Sequence, residues 1–167
     1  MSSNRDSGEL KPSDYRAIAA FRYQIRRFLR FSESAAVEAG LEPQQHQLLL
    51  AIKGMPNGRE ARIADLAERL QVQHHSTVEL VSRSVAKGLI QKVPGETDRR
   101  EVHVRLTLKG DQVLHTLTLH HRDELRRTAP ALVSALRGLT KASAVGRARS
   151  AASKPRTQRR LSGKAQA

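Results

Sequence analysis

Between Ile63 and Leu106 the spacing of apolar residues changes period, and the order of periods leaves few folds open. Ile63, Leu66, Ala67 and Leu70 recur at the i, i+3, i+4, i+7 interval of a helix with one buried face. Gln71-Val72-Gln73 interrupts this run, and a second helical segment extends from His74 to Lys87. Gly88 is placed to end it, because glycine adopts positive φ without strain. Leu89-Ile90-Gln91-Lys92-Val93 and Glu101-Val102-His103-Val104-Arg105-Leu106 then change to a strand pattern. In the second strand Val102, Val104 and Leu106 share one face, and Glu101, His103 and Arg105 the other. Pro94 and Gly95 open the connection, which predicts a hairpin tipped by Asp98-Arg99-Arg100.

Two helices followed by a hairpin form a winged helix-turn-helix, and each part suits DNA. A helix fits the major groove, where donor and acceptor patterns distinguish all four base pairs. Arginines on a slim β-tip suit the narrow, electronegative minor groove. Asp98 can orient Arg100 without cancelling the charge of the tip. A solvated hairpin with ordinary surface charge is the alternative for the tip alone. The helix pair directly upstream moves the reading to DNA.

The segments Ile63-Ala-Asp-Leu-Ala-Glu-Arg-Leu-Gln-Val72, His74-His-Ser-Thr-Val-Glu-Leu-Val-Ser-Arg83, Gly88-Leu-Ile90, Asp98-Arg-Arg100 and Leu106-Thr-Leu-Lys-Gly110 resemble the MarR-type family of bacterial regulators. The resemblance spans roughly residues 15–139 and is strongest from 63 to 110. It departs at Ser84, where the family usually has leucine, and at His46, where a bulky aromatic is common. It implies a mainly α fold with a small β-wing, flanked by N- and C-terminal dimerisation helices. In the family register Thr77, Leu80, Val81 and Ser84 are buried, leaving His75, Ser76, Glu79, Ser82 and Arg83 toward the groove. A competing register buries Val78, Val81 and Val85.

The expected organisation is a flexible start at 1–12, a winged-helix domain at 13–139 and a disordered basic tail at 140–167. Within the domain, the DNA-binding module covers about 43–107 and the dimerisation helices about 14–40 and 108–139. Eight of the fourteen net positive charges lie in residues 141–167, which contain no Asp or Glu. Only Val145 and Leu161 are sizeable apolar groups there, too little to offset the entropy of ordering. A net charge of +14 points to a polyanionic partner, with an acidic membrane surface as the bland competitor. No apolar run approaches the ~20 residues of a membrane span. The first residues lack a signal-peptide core, so a cytoplasmic protein without a membrane partner is expected. With no cysteine in the chain, disulfides and thiolate chemistry are excluded.

All five aromatic residues, Tyr15, Phe21, Tyr23, Phe28 and Phe31, fall in one helical run from Asp14 to about Ala39. They exceed what a single inner face can hold, so a partner subunit or an aromatic ligand is expected to meet some of them. A second helix is expected to start near Pro43 and run through Ile52, with a loop from Met55 to Arg62. Thr107 can cap the helix after the wing, and Pro130 is expected to open a separate last helix. His74-His75 and His120-His121 are adjacent pairs whose side chains diverge on a helix, which argues against a metal site. Neither a phosphate loop nor a nucleophile elbow is present, and Glu33, Glu38, Asp65 and Glu68 read as solvated.

The expectation is therefore a non-enzymatic, cofactor-free homodimeric repressor that binds a pseudo-palindromic operator in double-stranded DNA. His74, His75, Ser76, Glu79, Arg83, Arg99 and Arg100 are the candidate DNA contacts, with Asp98 orienting the wing. The resemblance further implies release by a small aromatic or phenolic ligand. Tyr23, Arg27 and His46 are candidates for it, since rings plus a cation suit an aromatic acid. The alternatives are a weakly selective architectural DNA-binding protein dominated by its tail, and a protein- or RNA-binding module on a borrowed fold.

Overall fold

The computed structural model describes residues 10–95 and 101–152. Asp98, Arg99 and Arg100 lie outside the described residues, as do 1–9 and 153–167. The element order is α1 (Pro12–Glu38), α2 (Pro43–Lys53), β1 (Ala61–Arg62), α3 (Ile63–Leu70), α4 (His74–Ala86), β2 (Ile90–Pro94), β3 (Val102–Leu106) and α5 (Leu108–Ala152). The strands form an antiparallel sheet in the order β1-β3-β2. The chain divides into two units, residues 25–129 and residues 1–24 with 130–167.

The unit of residues 25–129 holds the winged module. Its core joins Leu48 and Leu49 of α2, Leu66 of α3, Leu80 and Val81 of α4, Ile90 and Val104 of the sheet, and Leu117 of α5. No aromatic side chain is in that buried cluster, in keeping with a chain that contains three Phe, two Tyr and no Trp. The helix ends follow from local chemistry. Glu42 precedes α2 and donates its backbone N–H to Gln45 Oε1 at 3.1 Å, while Pro43 fills a first-turn position that needs no donor. Gln71 ends α3 in the left-handed region at φ 55°, its amide bonded to Glu68 O at 2.7 Å. At the end of α4, Gly88 takes φ 69°. There its N–H bonds Val85 O at 2.8 Å and that of Leu89 bonds Ser84 O at 3.0 Å, a Schellman turn.

The hairpin pairs Ile90 with Leu106 through to Pro94 with Val102. Val104 is buried on its inner face, but Val102 is 44% exposed although it shares that face. It sits at the far end of the ladder, beyond the reach of the helices that cover Val104. The short strand β1 lies in the stretch expected to be a loop. Ala61 pairs with Val104 and Arg62 with His103, so tertiary pairing makes a strand from two residues too few to show alternation.

Helix α5 corrects two expectations. Pro130 does not open a separate helix but stands inside a continuous one. A proline costs an interior helix one N–H bond and some steric room, and the Leu-, Ala- and Arg-rich sequence around Pro130 favours continuation. The backbone also stays helical to Ala152, past the boundary expected at 139. Ala, Arg and Lys favour helix even where no apolar face exists. In the second unit, a Cβ on Gly138 would lie 3.5 Å from Ala17 Cβ, so small residues bring the two helices together. Tyr15, Ile18, Tyr23, Val133 and Leu136 remain exposed there. Among the described residues no helix is long and apolar enough to cross a membrane.

Gly110 sits where backbone closes on backbone. A Cβ there would sit 1.9 Å from Leu89 O and 2.9 Å from its carbonyl carbon, both backbone atoms that cannot swing aside. Gly110→Ala should therefore lower stability by at least about 1–3 kcal/mol, measured as a shifted urea midpoint. An unchanged midpoint would show that the α5 junction relaxes freely.

Candidate nucleic-acid interface and the adjoining cavity

Helix α4 presents two chemically distinct faces. Thr77, Leu80, Val81 and Ser84 are buried, whereas Val78 is half-buried and Val85 is 37% exposed. The structure thus selects between the two registers the apolar pattern allowed. Two polar residues can sit inward because their hydroxyls bond within the helix. Thr77 Oγ1 donates to Gln73 O at 3.1 Å and Ser84 Oγ to Leu80 O at 2.8 Å. Ser84 replaces a larger side chain without leaving a polar group unmet. His74, His75, Glu79, Ser82 and Arg83 are exposed, and Ser76 is half-buried. They form the outward face together, with His74, His75 and Ser76 in the first turn, where backbone N–H groups attract anions.

Arg83 is not isolated on that face. Its Nε lies 3.5 Å from Glu42 Oε2. Lys87, one turn on, places Nζ 3.4 Å from Glu42 Oε1 and 2.9 Å from Gln45 Oε1.

Charged pairs brace the base of the wing. Glu60, just before β1, meets His103 Nδ1 at 2.5 Å and also binds Arg105, so one carboxylate holds two residues of β3. Glu101 Oε2 lies 3.2 Å from His103 Nε2 and its other oxygen 3.6 Å from Arg62. Asp65, expected to be solvated, is only 13% exposed and pairs with Arg59 at 2.9 Å and Arg62 at 3.2 Å. The Arg62 hydrogen bond holds its carboxyl below the ordinary carboxylate range. The spacing from Arg62 to Asp65 could have revealed this pair, but the loop reading of 55–62 concealed it.

Beside the winged module lies a cavity of about 470 Å³. Phe28, Leu50 and Leu125 give it apolar walls, His46 and His121 line it, and Arg122 and Arg126 supply cations. Of the three residues expected to meet a ligand, His46 is there, while Tyr23 and Arg27 are not among the lining residues. Tyr23 is 54% exposed in the other unit, and Arg27 is exposed on α1. The helical period of α1 turns Phe28 inward and leaves Arg27 outside, which composition alone could not reveal. Sequence reasoning missed His121, Arg122 and Arg126. Their helix was recognised, but only the packing of α1, α2 and α5 brings them beside His46.

The two histidines form the polar centre of that wall. Their ring centroids are 4.6 Å apart, and Phe28 and Phe31 meet His121 edge-on at 6.0 and 5.4 Å. His121 Nδ1 lies 2.7 Å from Leu117 O. A carbonyl only accepts, so Nδ1 donates, and in the neutral ring Nε2 receives the Ser32 hydroxyl at 2.8 Å. His46 is 3% exposed and its Nδ1 has no hydrogen-bond partner. Burial, and secondarily the proximity of His121, pushes its pKa down to about 4. Among the described residues no cluster of three His, Cys, Asp or Glu groups could hold a metal ion.

These features define a winged helix-turn-helix with a braced hairpin and a lined cavity. Residues 39–101 match the MarR family. The transcriptional activatory protein BadR of Rhodopseudomonas palustris is 33% identical over 96 residues, covering 57% of this chain and 55% of that protein. The chain thus spans about half the length of that curated relative. A MepR variant from S. aureus bound to an oligodeoxyribonucleotide has a similar fold, with TM-score 0.56 and 17% identity over 86% of this chain and 99% of that one. CouR of Rhodococcus jostii RHA1, bound to p-coumaroyl-CoA, gives TM-score 0.60 and 18% identity over 71% and 81%. The match to the MarR family thus falls on the winged module.

The depressed His46 pKa has a definite sign. Below pH 6.5 the unfolded chain protonates this imidazole while the folded one does not until about pH 4. Its contribution to stability is therefore present above pH 6.5 and lost progressively down to about pH 4. NMR titration should show the His46 ring neutral at pH 5.5, and His46→Phe should flatten the stability loss across this window. A His46 ring that titrates near 6.5 would contradict the burial argument.

Proposed function

We propose that this protein is a homodimeric DNA-binding transcriptional regulator that reads a pseudo-palindromic operator with α4. Its operator affinity falls when a small aromatic ligand with an acidic or phenolic group fills the cavity. The register of α4 carries the DNA reading: an apolar stripe points inward and His74, His75, Ser76, Glu79 and Arg83 are left for DNA. Ser76 and the helix N-terminus suit phosphate, Glu79 can accept from a cytosine amine, and Arg99 and Arg100 enter the minor groove with Asp98 orienting the tip. The DNA-bound MepR variant, similar in fold, supports this use of the module. Homodimerisation accounts for the exposed Tyr15, Ile18, Tyr23, Val133 and Leu136.

The cavity carries the ligand reading. Its apolar walls accept a ring, Arg122 and Arg126 attract an anion, and His46 Nδ1 is without a partner that a polar group of the ligand could supply. The p-coumaroyl-CoA in CouR is an aromatic acyl group on an anionic carrier, a chemistry of the same type. Any such ligand must prefer the arrangement of helices that DNA disfavours, since equal affinity for both arrangements shifts nothing. Bound over a promoter, the protein is a repressor released by its ligand. Bound upstream, the same protein assists transcription, the role in the name of BadR.

Selection of bound sequences from random DNA should return one pseudo-palindrome with half-sites about 10 bp apart. Uniform recovery would support the architectural alternative, in which the basic tail dominates. On the selected operator, Arg100→Ala should weaken binding by about 1–3 kcal/mol. Unchanged affinity in Arg99→Ala, Arg100→Ala and the double variant would remove the wing from the interface.

A panel of aromatic carboxylates should contain compounds that release the operator. Ala129→Phe, which fills part of the cavity, should abolish that release while leaving operator affinity intact. Release that persists in this variant would place the ligand elsewhere.

A further inference from the structure

We infer that Glu42 acts as an internal stand-in for a DNA phosphate, clamping Arg83 and Lys87 and so holding down affinity for DNA of any sequence. The inference rests on the DNA-binding reading above and adds a residue to it that lies outside the recognition helix. Arg83 and Lys87 are four residues apart, so they project from one stripe of α4, beside Ser76 and Glu79 on its outward face. Glu42 meets both cations through separate oxygens, Oε2 at 3.5 Å from Arg83 Nε and Oε1 at 3.4 Å from Lys87 Nζ. One anion with two oxygens bridging two cations is also what a backbone phosphate would provide.

The clamp is held from beneath. Gln45 is fully buried, and its Oε1 accepts both the Lys87 ammonium at 2.9 Å and the Glu42 backbone N–H at 3.1 Å. The backbone of Glu42 and the Lys87 ammonium are thus fixed to the same buried side chain. The clamp is open above, since the side chains of Glu42, Arg83 and Lys87 are 44%, 48% and 42% exposed. A phosphate can reach both cations without unfolding anything. The contacts are long and solvated, hence weak, and they yield readily to a competing anion. After the exchange the displaced carboxylate remains near the DNA backbone and opposes it. The cost is the same on every sequence, because phosphates carry no base information. Glu42 therefore sets the level and salt dependence of binding and leaves the choice of sequence to the rest of α4.

The test is titration of full-length wild type and Glu42→Gln with the selected operator and with random duplex across a salt series. Glu42→Gln should tighten both by roughly two- to thirtyfold, the range expected for freeing two exposed ion pairs. The slope of log affinity against log salt should steepen by about one unit, because the phosphate that replaces Glu42 adds about 0.9. In an Arg83→Ala, Lys87→Ala background the substitution should lose most of its effect, keeping only the relief of repulsion between the carboxylate and DNA. Glu42→Ser, which keeps a cap acceptor for α2, should reproduce the gain and separates loss of charge from loss of helix capping. Weaker binding by both Glu42 variants would make Glu42 a brace that presents Arg83 to DNA, overturning the clamp. An unchanged slope in a wild-type-like fold also overturns it. A wild-type protein that binds neither duplex would instead sink the DNA reading, and this inference with it.

Discussion

Where α4, β2, β3 and α5 meet, the backbone of Gly110 closes on that of Leu89. The Thr107 hydroxyl lies 2.7 Å from Gly88 O and 3.1 Å from Leu89 O, and it is 3.1 Å from the Gly110 N–H as the cap of α5. The Thr107 N–H also donates to Leu89 O at 3.1 Å. Gly110 lets the first turn of α5 pass over Leu89 where any Cβ would collide. Loosening this junction would free the end of the recognition helix, the start of the hairpin and the long helix together. The orientation of α4 relative to the wing depends on it, and so does any transmission from α5 to the outward face of α4.

Around that junction the protein places its charges in two different ways. At the base of the wing, Glu60, Glu101 and Asp65 tie His103, Arg105, Arg59 and Arg62 into a network joining β1, β3 and the start of α3. On the flank of α4 a single carboxylate is shared between two exposed cations. Exposed pairs contribute little individually to stability. Their effect is to decide which cations are presented to a polyanion and which are occupied within the chain. A net charge of +14 makes that distribution matter more than the total.

The cavity shows the reverse arrangement. Its walls are apolar, and its polar groups include two imidazoles tilted against each other, one bonded on both nitrogens and the other with a buried nitrogen unmet. An unmet buried polar atom costs free energy until something bonds to it. Arg122 and Arg126, on the same helix as His121, also line this apolar space, and each lies within 4.0 Å of Asp123. Since α5 begins at the Thr107 junction, occupancy of the cavity and the position of the wing share one continuous element.

Local pattern was enough for most of the architecture. Apolar spacing from Ile63 to Leu106 specified two helices and a hairpin, and Gly88 and Thr107 marked ends that the structure places at those residues. Such features depend on residues a few positions apart, so the chain carries them legibly. The inward register of α4 was implied only by resemblance, because the two stripes are almost equally apolar and packing against α2 and α3 chooses between them. The continuity of α5 through Pro130 was misread, since the penalty of one proline is judged against the whole helix around it. The strand at Ala61–Arg62 exists only because β3 lies alongside to pair with it. The sequence alone determined the module and its basic character. Tertiary structure decided that His46 meets His121, that Glu42 meets Arg83, and that His46 lines the cavity while Tyr23 and Arg27 are not among its lining, because those are contacts between residues whose separation along the chain carries no periodic signal.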